Sequence, residues 1–330
     1  MQGVMMSRLI SWLCVAITAV FTWSHAAAQD FPSRPIVMVI PFPPGGSTDV
    51  LGRVLGVSLG NELKQPVVVE NVGGAGGTIG AAKAARAAPN GYTILFHNMA
   101  HSTAPALYRK LPYDPVGDFD AIGLVTDVPM ILVGRKDLPP ESLKDLIAYI
   151  KTEKQNAKFA NAGIGATSHL CGLLLISALE ADVTSVSYKG TGPALNDLMG
   201  GQVDLLCDQP ASTMGFIKSG RIKPYAVATR TRLGSLPDVP TFAEGGVKEF
   251  ELAVWHGLYA SKGTPKPILD KLHSALQQAL KDPALVKRFE EIGAEPVSQD
   301  RATPQALQSH VESEVARWGP IIKRAGVQAE

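Results

Sequence analysis

An apolar run that breaks abruptly into prolines and glycines constrains this chain most: residues 36–49 read IVMVIPFPPGGSTD. Residues 36–40 have the unbroken apolar character of a strand covered on both faces. Pro43, Pro44, Gly45 and Gly46 stop that strand and let the backbone turn sharply. Ser47, Thr48 and Asp49 then supply N-cap candidates for a helix running to Leu63. The first N–H groups of such a helix have no partner inside it. With the helix dipole and the nearby hydroxyls they favour a carboxylate or phosphate, although the same hydroxyls serve equally as plain caps.

The arrangement recurs. Residues 67–69 lead through Glu70, Asn71 and a glycine-rich loop ending at Gly77 into Thr78 and an Ala-rich helix over 79–88. Residues 92–96 lead into His97, Asn98, His101, Ser102 and Thr103. Residues 159–161 pass Gly163 and Gly165 to reach Thr167, Ser168, His169 and a helix to Leu179. Residues 183–188 pass Lys189, Gly190, Thr191 and Gly192 before a helix ending near Gly200, and residues 203–206 end at Asp208. Strands alternating with helices place the chain in the α/β class. In open α/β sheets ligands bind beyond the carboxyl ends of the strands, so these polar loops are expected to converge on one crevice.

Residues 1–28 carry Arg8, an apolar run over 9–23 and Ala26-Ala27-Ala28, the pattern of a cleavable secretory signal. The run is shorter than a membrane span of ~20 residues, so the mature protein is expected to be soluble and periplasmic. Cys14 would leave with the signal. Of 31 basic residues the signal holds only Arg8, which leaves them balanced against the 30 acidic ones. No clustered Lys/Arg footprint for nucleic acid remains, since Lys287-Arg288 reads as a solvated helix face. The mature chain keeps Cys171 and Cys207 without metal-ligand spacing, and neither metal nor cofactor is expected. The two thiols are either a disulfide or two small buried apolar groups.

A mature chain of about 300 residues exceeds one small core and implies two domains. A second α/β set begins with a strand at 130–133 and a helix at 142–151. After a strand at 225–229 comes the turn-rich LPDVPTFAEGG, then a strand at 253–260 and helices over 267–281, 283–292 and 304–325. Crossings near 125–129 and 226–230 would give a discontinuous first lobe, 29–126 plus 230–330, and a second lobe, 127–229. Two crossings make a hinge around a cleft.

The motifs FPSRPI at 31–36, VIPFPPGGSTDV at 39–50, QPVVVEN and GGAGGTIGA within 65–81, and APNGYTIL at 88–95 belong together with four more. These are PALYRKLPYDP at 105–115, GIGATSHL at 163–170, YKGTGPALNDLMGGQVDLLCD at 188–208 and LPDVPTFAE at 236–244. In this order they resemble the substrate-binding proteins of tripartite tricarboxylate transporters, the Bug family of periplasmic receptors, over essentially the whole mature chain. The resemblance implies a type II periplasmic-binding fold, a monomer of two α/β lobes joined by two crossing hinge strands. It implies a receptor, not an enzyme, that closes on a di- or tricarboxylate, an acidic amino acid or an aromatic acid. The implied partner is a membrane permease with a large and a small subunit.

Carried onto this chain, the resemblance places Phe42, Ser47, Thr48, Gly77, Thr78 and His101 on the first-lobe side of the ligand. Thr167, Ser168, His169, Tyr188, Lys189, Gly190, Thr191 and Asp208 face them from the second lobe. Residue chemistry alone leaves alternatives open at each. Phe42 is equally a core wedge, the hydroxyls are equally caps, the histidines equally structural, and Lys189 a solvated loop residue. Asp208 repels a carboxylate, so within a cleft it must meet an amino group, a hydroxyl or water, or else cap the next helix. Ala104, Gln209 and His256 depart from the residues common in the family and bear on which ligand is bound. A ligand-sensing subunit of a membrane signalling protein would share this chemistry. An exported dinucleotide-dependent enzyme would rest on Gly74-x-Gly76-x-x-x-Gly80, which misses the G-x-G-x-x-G spacing.

Overall fold

The computed structural model describes residues 31–248 and 250–324; the expected signal at 1–28 and residue 325 of the last expected helix lie outside them. β1 (Ile36–Ile40) is almost wholly buried, as its unbroken apolar run requires. β2 (Val67–Asn71) and β3 (Thr93–Asn98) flank it in parallel. The connections run through α1 (Ser47–Leu63) and α2 (Thr78–Ala85). His97 and Asn98, expected in a loop, extend β3, and α3 (Ala100–Leu107) follows at once. β4 (Phe119–Pro129) then leads out of this sheet.

The second sheet has the order β7-β6-β8-β5-β9. Its strands are β5 (Ile131–Arg135), β6 (Lys158–Asn161), β7 (Thr184–Ser187), β8 (Leu205–Asp208) and β9 (Ile222–Val227). β6 runs parallel to β7 and β8, while β5 is antiparallel to β8 and β9. The helices between them are α4 (Leu143–Glu153), α5 (Thr167–Ala178), α6 (Thr191–Met199) and α7 (Pro210–Lys218). Ile131, Val133, Ala160, Leu195, Leu198 and Leu206 form the core under this sheet. α4 starts where a hydroxyl can cap it, Ser142 Oγ accepting from Asp145 N at 3.1 Å.

β10 (Ala253–Ser261) returns antiparallel between β3 and β4, and β11 (Glu295–Pro296) pairs with β4. The first sheet therefore reads β11-β4-β10-β3-β1-β2. α8 (Lys266–Ala279), α9 (Pro283–Glu291) and α10 (Pro304–Arg324) pack back onto it, α8 against α1 and β4 and α10 against α3 and β4. In α8 the buried residues Leu272, Ala275, Leu276 and Ala279 recur at helical spacing, one stripe turned to the core.

The return from the second sheet comes later than residues 226–230. Residues 230–252, expected with the first lobe, supply Leu236 and Val239 to the core of the second sheet. Val227 N donates to Pro240 O at 2.9 Å and Phe242 N to Val227 O at 3.2 Å, which holds the segment on β9. Its apolar residues are spaced by prolines and turns, without strand or helix period, so no local pattern signals which sheet they join. At the crossing three segments are hydrogen-bonded in a ring: Ala228 N to Met130 O at 2.8 Å, Leu252 N to Ala228 O at 3.1 Å and Met130 N to Leu252 O at 3.1 Å.

Of the two states open to the cysteines, the disulfide is the one formed: Cys171 of α5 is bonded to Cys207 of β8, with Cα atoms 6.1 Å apart. The bridge spans 36 residues of chain. Closing a loop of that length removes unfolded-state entropy worth about 3–4 kcal/mol. Replacing both cysteines by Ala is expected to lower the unfolding free energy by about that amount, read as the midpoint of a urea titration. An unmoved midpoint would show that the bridge contributes nothing.

Candidate functional site

Loops from the two sheets meet in the gap between them and enclose one small cavity. Phe42, Pro43, Gly46, Ser47, Thr48 and Asn98 line it from the first sheet, and Ala162, Ala166, Thr167, Ser168, Gly190, Thr191, Asp208 and Gln209 from the second. About 30 Å³ lies between these walls, room for about one water. Four of the lining residues are helix N-caps: Gly46 of α1, Ala166 of α5, Gly190 of α6 and Gln209 of α7. None makes a side-chain cap bond. Ser47, Thr48 and Asp49, expected as cap candidates, lie inside α1, because Gly46 takes the extended cap conformation ahead of them. Four helix N-termini without side-chain caps therefore border one cavity; α1, α5 and α6 offer free N–H groups from their first residue, whereas α7 opens on Pro210, which has none.

Asp208 lies among them, buried. Its Oδ2 accepts from Thr191 Oγ1 at 2.6 Å and its Oδ1 from Gln209 N at 2.7 Å. From the opposite sheet Ser47 Oγ donates to Oδ1 at 3.4 Å. Burial raises the carboxyl pKa, and the bonds from Thr191 and Gln209 oppose that shift. Gly190 has φ +118°, and a Cβ there would stand 2.7 Å from Pro43 Cγ. Only glycine lets the start of α6 approach the first-sheet loop this closely.

Thr48 is held from behind. Ala100 N donates to Asn98 Oδ1 at 3.0 Å, which turns the Asn98 amide so that its Nδ2 donates to Thr48 Oγ1 at 3.1 Å. Thr48 Oγ1 is also hydrogen-bonded to His256 Nε2 at 3.3 Å. Asn98, named in sequence only as part of the polar stretch after the third strand and not as a ligand contact, lines the cavity; its place at the end of a strand before a helix is the available signal.

Of the residues expected at the site, Phe42, Ser47, Thr48, Thr167, Ser168, Gly190, Thr191 and Asp208 come together here. Gly77, Thr78, His101, His169, Tyr188 and Lys189 do not line the cavity. A Cβ on Gly77 would lie 3.0 Å from His97 Cε1 and 3.2 Å from Phe42 Cζ, so this glycine backs Phe42 instead. Thr78 is buried at the start of α2. His101 packs among Tyr113, Phe119 and Tyr259, with ring centroids 5.6, 4.9 and 4.9 Å away. Its Nε2 donates to Pro115 O at 3.1 Å, because a carbonyl can only accept. His169 Nδ1 accepts from Gly165 N at 3.3 Å and braces the loop before α5. The Tyr188 hydroxyl is turned toward α6 and donates to Asp197 Oδ2 at 2.7 Å, and Lys189 is exposed.

Residues 51–327 match the profile of the TctC family, tripartite tricarboxylate transporter family receptors. A protein of Agrobacterium vitis encoded in the TAR-I ttuE-ttuC' intergenic region is 47% identical over 322 residues, 98% of this chain and 92% of its own. The structure of periplasmic binding protein BugD matches with TM-score 0.88 at 49% identity, over 91% of this chain and 100% of that one. MatC from Rhodopseudomonas palustris with bound malate matches at 0.84 and 38%, over 88% of this chain and 100% of that one. A second R. palustris protein, with adipate, matches at 0.86 and 35%, over 91% of this chain and 99% of that one.

Three histidines stand buried behind the site. His97 packs edge-on to Phe42 and 5.1 Å from His101, and His256 stacks on Phe96. Burial pushes His101 down to about 4 and His256 down to about 3, and holds His97 well below the usual histidine range. All three are neutral at pH 7. A folded-state pKa below the unfolded value of 6.5 means that the unfolded chain takes up protons first as the solution is acidified. The stability these residues contribute is intact above that value and is lost as pH falls through about 4. Asp208, with its pKa raised, acts in the opposite sense, one group against three. The melting temperature is expected to fall steeply between about pH 6.5 and about pH 4, and His101→Phe should flatten that fall. A level profile across the window would mean that the histidines are charged or solvated in the fold.

Proposed function

This chain belongs to the tripartite tricarboxylate transporter receptor family and has its two-sheet α/β fold, and from that premise we propose that it captures a small carboxylate between the sheets and hands it to a membrane permease. The observation that carries this reading is the convergence of four uncapped helix N-termini on one cavity. N–H groups at such ends take a carboxylate without any charged side chain. Malate and adipate, the acids held by two structural neighbours, are anions of this kind. The hydroxyls of Thr167 and Ser168 add donors, and Phe42 lines the apolar side.

The moving bodies are the first sheet with its helices and the second sheet together with residues 230–252. They part at the ring formed by Met130, Ala228 and Leu252. A cavity of about 30 Å³ admits no such acid unless they part, and closure afterwards excludes water. In the closed form Ser47 reaches Asp208, and the Tyr108 hydroxyl donates to Ile164 O at 3.3 Å. The site is periplasmic, and the receiving partner is a permease with a large and a small subunit.

A thermal-shift screen of the secreted chain against di- and tricarboxylates, acidic amino acids and aromatic acids tests the reading. A ligand at ~1,000 times its Kd stabilises by ~4 kcal/mol, or roughly 10 °C for a chain of this size. No shift with any acid would sink it. With a ligand in hand, Thr167→Val is expected to weaken binding about tenfold at unchanged melting temperature, as the loss of one hydrogen bond to a charged group. Thr48→Val should lower both, since Asn98 and His256 lose a buried partner. Equal affinity in wild type and Thr167→Val would remove that hydroxyl from the site.

A further inference from the structure

We infer that Asp208 and Gln209 form an acceptor pair that reads a hydrogen-bond donor, a hydroxyl or an ammonium, on the carbon next to the ligand's carboxylate. The inference rests on the carboxylate-receptor reading and narrows its substrate class to 2-hydroxy and 2-amino acids. Everything else about the cavity favours negative charge, yet Asp208 puts a buried carboxylate on its wall. That group cannot turn away, because Thr191 Oγ1 and Gln209 N hold it from its own sheet at 2.6 and 2.7 Å. Toward the opposite sheet it meets Ser47 Oγ at 3.4 Å, near the limit for a useful hydrogen bond. A better donor placed there would strengthen the contact.

The adjacent residue presents the same need independently. Gln209 is only 2% exposed and lines the cavity, and its Oε1 is buried with no hydrogen-bond partner. Buried acceptors are almost always paired in folded proteins, so this oxygen also asks for a donor. Ser47 fixes how far that donor lies from the acid. Its backbone N–H belongs to the start of α1, where the carboxylate is seated, while its hydroxyl touches Asp208. A group on the neighbouring carbon spans that interval. An unsubstituted acid would bring its carboxylate near Asp208 with only the long Ser47 contact between them and leave Gln209 unpaired, which is discrimination by cost as much as by attraction.

Isothermal titration of the secreted chain with matched acids decides it. The sets are succinate, malate and aspartate; adipate, 2-hydroxyadipate and 2-aminoadipate; phenylacetate, mandelate and phenylglycine. In whichever set binds, the substituted acid is expected to bind at least about tenfold tighter than the plain one, the value of one buried hydrogen bond. Asp208→Asn, which keeps the shape and removes the charge, should cut the advantage of the amino acid over the plain acid at least about threefold and improve binding of the plain acid. Should that variant fail to fold, the wild-type comparison decides alone. Plain acids binding as tightly as their substituted partners would overturn the inference and leave the carboxylate reading intact. Binding of no acid at all would overturn both.

Discussion

Helix N-termini carry partial positive charge, so four of them bordering one cavity are stabilised by negative charge placed among them. Asp208 is the charge the chain itself provides, and the local chemistry around it follows from that need. Gly46, Ala166 and Gly190 begin three of the helices with no side-chain oxygen to offer. A serine or aspartate at those positions would satisfy the first N–H groups and compete with any anion for them. Small caps give up that local stability and leave the donors pointing into the gap. Gly190 also supplies the positive φ that brings α6 against Pro43.

Each half of the site is stiff, while the seam between the halves is weakly joined. Within the second sheet Asp208 makes bonds of 2.6 and 2.7 Å, and the bridge from Cys171 to Cys207 ties α5 to β8, two elements whose ends form one wall. Within the first, Asn98 Nδ2 holds Thr48 Oγ1 at 3.1 Å. Across the seam the hydrogen bonds are longer, 3.4 Å from Ser47 to Asp208 and 3.3 Å from Tyr108 to Ile164 O. On the proposed reading, opening at the crossing near Met130 breaks few hydrogen bonds and distorts neither wall.

The strand, loop and helix over residues 36–63 were legible because each part is locally encoded: an apolar run, two prolines, two glycines, then a helical stretch. The gathering of Ser47, Thr167, Thr191 and Asp208 followed from the rule that α/β loops meet beyond strand ends. His101 was not legible. A histidine one residue into a helix points to cleft or core according to how the helix is rolled, and here Tyr113, Phe119 and Tyr259 receive it. Tyr188 poses the same problem, since its hydroxyl finds Asp197 within the following helix rather than the cleft. Residues 230–252 carry Leu236 and Val239 without a period, and only tertiary packing assigns them to a sheet. Gln209 departs from the family pattern in sequence, but only the packed structure leaves its amide oxygen buried and unpaired.

A carboxylate receptor could use arginine, yet among the described residues lining the cavity none is Arg or Lys. The histidines behind it are neutral as well. On the proposed reading this absence of full positive charge follows from the need to let the ligand go. Dipoles and N–H groups hold an anion well when water is excluded, because hydrogen bonds strengthen as the local dielectric falls. Once the sheets part and water enters, the same groups are readily replaced by solvent. An Arg–carboxylate pair, bidentate and charge-assisted, would retain more of its strength in the open form. Affinity is thereby tied to closure, so that opening at the hinge suffices to release the acid.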